Sequence, residues 1–200
     1  MTHHTALRAG DAYCRYVTFS RPLPRALATL SLLPLMAAAG LAAAPAHAAG
    51  FVVPVQCELS DETVLPWDDV AYDLRGTCGV VRVTGDGTTV TMPAATRLVV
   101  DGTGSTITAK SLGELDVVGA GNSITTPSVR SLSVSGPGST VTVTGLLERA
   151  DLASTSSSVS ADTINVLRLR GSDTVQARKA YRTRITGSDN VLDLRPRKRR

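Results

Sequence analysis

Apolar and polar residues alternate along most of the chain after residue 50, and small glycine-containing stretches interrupt the alternation at regular intervals. The segments VTGDGTTVTM, VVDGTGSTIT and VVGAGNSITT repeat one arrangement: apolar residues, a glycine-containing corner, and then Thr or Ser on either side of Val or Ile. An apolar residue at every second position indicates a half-buried β-strand, and Thr, Val and Ile favour strands. The pattern therefore predicts short strands separated by tight corners.

The corners recur at a nearly constant spacing. Their characteristic residues are Gly85, Gly102, Gly119, Gly136, Ser154, Gly171 and Gly187, with steps of 17, 17, 17, 18, 17 and 16 residues. A unit this short cannot bury its apolar face alone, so successive units have to stack as rungs of a coil. The sequence thus predicts an all-β fold: a single-stranded β-solenoid, wound as a right-handed β-helix, of about seven rungs of 16–18 residues. A β-sandwich is the alternative, but it would not require constant spacing.

The position of a residue within its repeat predicts whether its side chain faces the core. The apolar residues after the corners are expected to form an inward ladder: Val90, Ile107, Ile124, Val141, Val159, Val175 and Val191. Small polar residues recur beside them at Thr88, Ser105, Asn122, Ser139 and Ser157. These either form a polar ladder or simply suit a turn. One outward column is expected to comprise residues 82, 99, 116, 133, 151, 168 and 184.

Composition divides the chain into four segments. Residues 1–48 predict a signal peptide with a long n-region, because Arg21 and Arg25 precede the apolar run ALATLSLLPLMAAAGLAAA and the exit Ala46-His47-Ala48. A retained membrane anchor is the alternative. Residues 49–71, including a buried Trp67, are expected to form an N-terminal cap. Residues 72–194 are expected to form the solenoid and residues 195–200 a disordered basic tail.

This organisation predicts a secreted or cell-envelope-associated protein, exported through the general secretory route, with no stable membrane span after signal cleavage. In an oxidising compartment a disulfide between Cys57 and Cys78 is the expected state, with two unpaired thiols as the alternative. The chain has no histidine after His47. Beyond that point Ser-His-Asp triads, Cys-His dyads and most metal sites are excluded. We therefore expect no catalytic residue, no metal and no cofactor.

The start of the repeat region resembles a known family. Cys78-Gly79 is followed by Val81, Val83, Gly85 and Val90. This order is similar to the V-x-V-x-G-x-x-N-x-V repeats, often opened by Cys-Gly, of the secreted actinobacterial family catalogued as domain of unknown function 3060. The resemblance covers about residues 72–194. The sequence departs from it where Thr or Ser replaces the corner Asn and where Ser154 replaces the glycine. The resemblance implies a secreted solenoid and brings no activity with it.

Charge is distributed unevenly along the chain. Residues 49–194 contain 12 basic and 16 acidic residues, whereas five of the last six residues are basic. The candidate basic surface comprises Arg168, Arg170, Arg182, Arg184, Arg197, Lys198, Arg199 and Arg200, with Arg178 and Lys179 nearby. Such a surface predicts an anionic cell-wall polymer or another envelope protein as the partner. Aromatic residues other than Tyr181 do not interleave with it, which argues against nucleic acid.

Hydroxyl residues follow each corner as doublets. The candidate hydroxyl face comprises Thr89, Thr91, Thr106, Thr108, Ser123, Thr125, Thr140 and Thr142. It is expected to be interrupted in the last two rungs by Gln176, Asn190 and Leu192. Some ice-binding solenoids carry such rows, and a glycan or protein is an equal candidate ligand, but strand propensity alone also places Thr on exposed strands.

A polysaccharide-active enzyme is the remaining alternative. Its carboxylates would be Asp116 and Asp151, which the repeat places two rungs, or roughly 10 Å, apart. The function that the sequence favours is therefore a non-catalytic binding surface or structural spacer.

Overall fold

The computed structural model describes residues 51–195, and this part of the chain consists of β-strands joined by corners, with no helix. The strands are β1 (Val52–Cys57), β2 (Glu62–Leu65), β3 (Ala71–Gly76), β4 (Cys78–Val83), β5 (Thr89–Val100), β6 (Thr106–Val117), β7 (Ser123–Thr126), β8 (Val129–Val134), β9 (Thr140–Leu152), β10 (Thr155–Leu169), β11 (Ser172–Ile185) and β12 (Val191–Leu194). All of them pair in parallel within one sheet. The all-β prediction is confirmed, whereas residues 1–50, which include the predicted signal peptide, and residues 196–200 lie outside the described residues.

The sheet is coiled because each strand pairs with the strand one rung later. One inward ladder shows this repeat: Tyr72, Val90, Ile107, Ile124, Val141, Val159, Val175 and Leu192 occupy successive paired positions. The fold is a β-solenoid, as the constant spacing predicted, and it has about eight rungs where about seven were expected. The additional rung comes from residues 51–71, since β1 pairs with β3 and β2 pairs with β4.

The last rung departs by one residue from the predicted ladder. Val191 pairs with Thr174 and is 54% exposed, whereas Leu192 pairs with Val175 and packs against the core. The prediction for Val191 was therefore wrong. The corner after Gly171 is one residue shorter than the others, and the corner after Gly187 returns to full length. Counting forward from Val175 by the 16-residue step between Gly171 and Gly187 therefore gives Val191, one position short of Leu192.

Aliphatic side chains from both halves of each rung fill the inside of the coil. Leu98, Leu115, Leu132 and Leu167 are fully buried or nearly so, and they face Ile107, Ile124 and Val141 from the first half of the rungs. Burying a side chain of this size stabilises a fold by about 1.5–3 kcal/mol. The core is therefore a continuous column along the coil axis.

Glycine at the corners permits successive rungs to approach closely. A Cβ atom at Gly119 would overlap the carbonyl oxygen of Gly102, and one at Gly136 would overlap that of Gly119. These clashes are with backbone, so a flexible side chain cannot move to relieve them. Rung stacking thus requires glycine at these corners, and this requirement explains why glycine recurs at a regular spacing in the sequence.

A buried polar ladder runs beside these glycines. Thr88, Ser105, Asn122, Ser139 and Ser157 are at most 1% exposed. The Ser105 hydroxyl accepts a hydrogen bond from the backbone N–H of Thr88 and donates one to the carbonyl of Gly85, at 3.3 Å in both cases. Asn122 repeats this arrangement one rung later, at 2.8 and 2.9 Å. The small polar residues therefore satisfy corner backbone groups that water cannot reach.

Asp173 continues this ladder with an acidic residue. It is 1% exposed, and its Oδ1 accepts hydrogen bonds from the Ser154 hydroxyl and the Ser157 N–H. Its Oδ2 is buried and has no hydrogen-bond partner among the described residues. Asn122 and Asn190 use their Nδ2 atoms to donate to the carbonyls of Gly102 and Gly171. A carboxylate cannot make that donation.

Replacing Asp173 with Asn is expected to raise the free energy of unfolding by about 1–2 kcal/mol, because the amide can donate where Oδ2 now lacks a partner. Chemical denaturation of the purified variant measures the change. The matched control is Asn122→Asp, which introduces a carboxylate at the fully buried equivalent position and should destabilise. A decrease in stability for Asp173→Asn would show that the ladder does not require a donor there.

The N-terminal end of the coil is tied by a disulfide. Cys57 at the end of β1 is bonded to Cys78 at the start of β4, with their Cα atoms 4.8 Å apart, so the predicted bridge is confirmed. The prediction for Trp67 is wrong, since its side chain is 61% exposed. At this corner the backbone of Trp67, rather than its ring, makes the contacts. The Trp67 carbonyl lies against Gly85, and the Trp67 backbone N–H donates a hydrogen bond to the Tyr72 hydroxyl.

Candidate functional site

The second half of each rung forms a face that carries many charged side chains. Residues 82, 99, 116, 133, 151, 168 and 184 are consecutive paired positions on this face, as the repeat predicted. The arginine at the N-terminal end of the column is neutralised. Arg82 contacts Glu62 at 3.1 Å and Asp101 at 2.6 Å. Hydrogen bonds to Glu62 and Asp101 raise the pKa of Arg82 above its ordinary value.

Arg97 is neutralised in the same way on the adjoining column. Its guanidinium contacts Asp116 at 2.5 Å and Glu114 at 3.7 Å. The hydrogen bond to Asp116 raises the pKa of Arg97 above its ordinary value. The next rung presents only hydroxyls at the equivalent positions, Ser131 and Ser133. Positive charge in these two columns is therefore balanced or absent up to the middle of the coil, whereas Arg130, which directly precedes Ser131 and lies outside the columns, is exposed and forms no ion pair with a described residue.

The C-terminal rungs of this face carry an excess of positive charge. We define the C-terminal arginine patch as Arg149, Arg168, Arg170, Arg182 and Arg184. Arg184 follows Arg168 directly in the outward column, and Arg182 and Arg149 flank Val166 in the adjoining one. Only Arg170 pairs with an acid of the described chain, contacting Asp151 at 2.8 Å. Exposed guanidinium groups without such partners are available to an external anion.

Three of these arginines line a surface hollow. The hollow has a volume of about 290 Å³, and its walls are Asp151, Arg168, Arg170, Arg184 and Thr186. A guanidinium offers several N–H donors in a planar fork that matches carboxylate and phosphate oxygens. The hollow is thus suited to a phosphate, sulfate or carboxylate group, and Thr186 adds a hydroxyl at its edge.

The remaining basic residues lie elsewhere. Arg178 pairs with Asp162 and Lys179 lies opposite Thr163, both on the segment of β11 between the two halves of the rung. Arg195 pairs with Asp193 at 2.6 Å. Arg197, Lys198, Arg199 and Arg200 lie outside the described residues. Arg149 was missed by the sequence analysis, although its paired position next to Val166 and Arg182 was accessible from the repeat.

The first half of each rung carries the hydroxyl face. Thr89, Thr106, Ser123, Thr140, Ser158 and Thr174 form one row of paired positions, and Thr91, Thr108, Thr125, Thr142 and Ser160 form the other. Gln176 ends the second row, as expected. The expectation for Asn190 and Leu192 was wrong: Val191 and Asp193 occupy the two rows there, because the last rung is shifted by one residue.

The carboxylates that a glycan-cleaving enzyme would use are separated. Asp116 is paired with Arg97 and Asp151 with Arg170, and Ser133 lies between them in the column. Among residues 51–195 no cluster of three His, Cys, Asp or Glu side chains could hold a metal ion. The same residues include no helix of the length and hydropathy needed to cross a membrane.

Together these features define the class of the protein as a β-solenoid with one charged face and one hydroxyl face. Comparison with known proteins found no matching family model, no matching curated protein and no matching solved structure. The resemblance to the actinobacterial repeat family accordingly stays a prediction.

Proposed function

We propose that this protein is an exported, non-catalytic β-solenoid that binds an anionic polymer of the cell envelope through the C-terminal arginine patch. The observation that carries the proposal is the hollow lined by Arg168, Arg170 and Arg184. In the part of the chain that the structure describes, Arg168 and Arg184 form no ion pair. The two arginines nearer the N-terminus in these columns, Arg82 and Arg97, are paired with acids, so the unpaired charge of the columns is concentrated in the patch.

The rest of the molecule serves as a rigid support in this proposal. Paired strands fix the arginine Cα atoms at the rung spacing of about 4.8 Å, and the buried column beneath them prevents the face from bending. A polymer with an anionic group in each repeat unit suits such an array better than a single small ion does. The disulfide between Cys57 and Cys78 supports export, since such bonds persist in oxidising compartments.

The test compares two double variants of the same face. Arg168→Gln with Arg184→Gln should weaken retention on purified wall polymer about tenfold, which corresponds to about 1.4 kcal/mol. Arg82→Gln with Arg97→Gln removes the same charge from paired arginines and should change retention little. Co-sedimentation with envelope fractions, over a range of salt concentrations, measures both. Salt should weaken the wild-type interaction, because exposed charges are screened.

The basic tail is tested separately by removing residues 195–200. A further loss of retention is expected, since five of these six residues are basic. If full-length protein, the Arg168/Arg184 variant and the shortened chain are retained equally and without dependence on salt, the proposal is wrong. Retention that depends on the tail alone would also contradict it, because the hollow would then have no role.

A further inference from the structure

The two rows of hydroxyl side chains form a regular two-dimensional array. Paired positions on parallel strands lie roughly 4.8 Å apart, and alternate residues along one strand lie roughly 6.6 Å apart. One row keeps this arrangement over six consecutive rungs and the other over five. Both rows therefore extend along most of the coil at constant spacing.

The hydroxyls of this face take no part in hydrogen bonds that stabilise the fold. Within residues 51–195, none of the side chains of the two rows donates or accepts a hydrogen bond within the protein. The buried polar ladder of the same rungs behaves in the opposite way: Ser105, Ser139 and Ser157 each donate to a backbone carbonyl. Ser and Thr residues of the polar ladder thus stabilise the interior of the coil, whereas those of the two outer rows keep their hydroxyls available to a ligand.

The face is also uncharged and stiff. The rows themselves contain no charged side chain, but charged residues border one of them: Asp73 and Asp193 lie at its two ends, and Lys110 and Asp162 lie two residues after Thr108 and Ser160 on the same strands. Eight of the eleven side chains are Thr, whose branching at Cβ restricts rotation about χ1. The array of methyl and hydroxyl groups is consequently held in place before any ligand arrives, which lowers the entropic cost of binding a rigid ligand.

These properties restrict the class of ligand. An anionic polymer would find no cation in the rows, and a sugar ring would find no aromatic platform. A rigid lattice of hydrogen-bonding groups with matching repeats can bond to successive hydroxyls along both rows. Oxygen–oxygen repeats in hexagonal ice are close to the two spacings of the array. We propose that this face binds ice, as a second activity independent of the arginine patch.

The experiment uses the purified full chain in a drop of water containing a single growing ice crystal. Wild-type protein is expected to produce faceted crystals and to slow recrystallisation. Thr108→Val with Thr125→Val keeps the side-chain shape and removes two central hydroxyls, and Thr108→Lys with Thr125→Lys adds bulk and charge. Both variants should lose faceting. Ser133→Lys on the other face is the matched control and should keep it.

Unfolding midpoints of the three variants establish that they are folded, and the Val variant is expected to fold even where the Lys variant does not. Round crystals with wild-type protein, or equal faceting by wild-type protein and a folded Val variant, would overturn the proposal. Sedimentation with crystalline cellulose or chitin forms a separate arm. Binding there that is sensitive to the Thr108 and Thr125 substitutions, without ice faceting, would assign the face to a crystalline glycan instead.

Discussion

Replacing Ile124 with Asp is expected to lower the free energy of unfolding by more than about 4 kcal/mol, because the substitution places a charge in the dry column inside the coil. Ile124 is 0% exposed and lies between Ile107 and Val141 in the inward ladder. No basic side chain faces the inside of these rungs. The carboxylate would therefore have to remain ionised without a partner or take up a proton, and either costs stability.

The neighbouring residue supplies the control. Thr125 follows on the same strand, points outward and is exposed, so Thr125→Asp should change stability by less than about 0.5 kcal/mol. Denaturant titrations of the two variants under the same conditions measure the difference. Similar losses for both would mean that the inside and the outside of this strand have been assigned incorrectly.

Removing the disulfide is expected to have the second largest effect. The bond closes a sequence separation of 21 residues, and the chain-entropy model gives about 3 kcal/mol for a loop of this size. We expect the loss to appear first in β1 and β2, because a rung contacts only its neighbours and the first rung has a neighbour on one side alone. The variant Cys57→Ala with Cys78→Ala tests this without leaving a polar thiol in the core.

Amide hydrogen exchange distinguishes local from global loss. Faster exchange in β1 and β2, with little change in β6 and β9, is the expected result. Uniformly faster exchange along the coil would show that the bridge stabilises the whole fold as one unit. No change at either end would mean that parallel pairing alone holds the first rung. Reduction of the wild-type protein should reproduce the result for the double variant.

The inside of the coil was predictable from sequence because its steric requirements repeat. Gly119 and Gly136 must lack a Cβ, and Ile107 and Ile124 must fill the same column, so the spacing of 17 residues is visible without any structure. The prediction failed where this regularity ended. The shortened corner after Gly171 moved Asp173 into the polar ladder, and the return to a full-length corner after Gly187 placed Leu192, rather than Val191, against the core.

The outer faces were predictable only as columns of residues. The register placed Arg168 next to Arg184 as expected, because pairing follows from the repeat. Which arginines are neutralised could not be predicted, since Arg82 reaches Glu62 and Asp101 through side-chain conformations that the spacing does not determine. The exposure of Trp67 was missed for a related reason: its corner precedes the regular repeats, and there the backbone rather than the ring makes the contact.

The equal steps from Gly85 to Gly136 mean that the length of the coil is adjustable. Removing or duplicating one unit of 17 residues in this region would preserve every corner, both ladders and the register of the rungs on either side. Each added unit would enlarge the hydroxyl face by one doublet and leave the arginine patch unchanged. Gene duplication within the repeat could thus tune the avidity of one face through copy number alone, while the affinity of the other stays fixed.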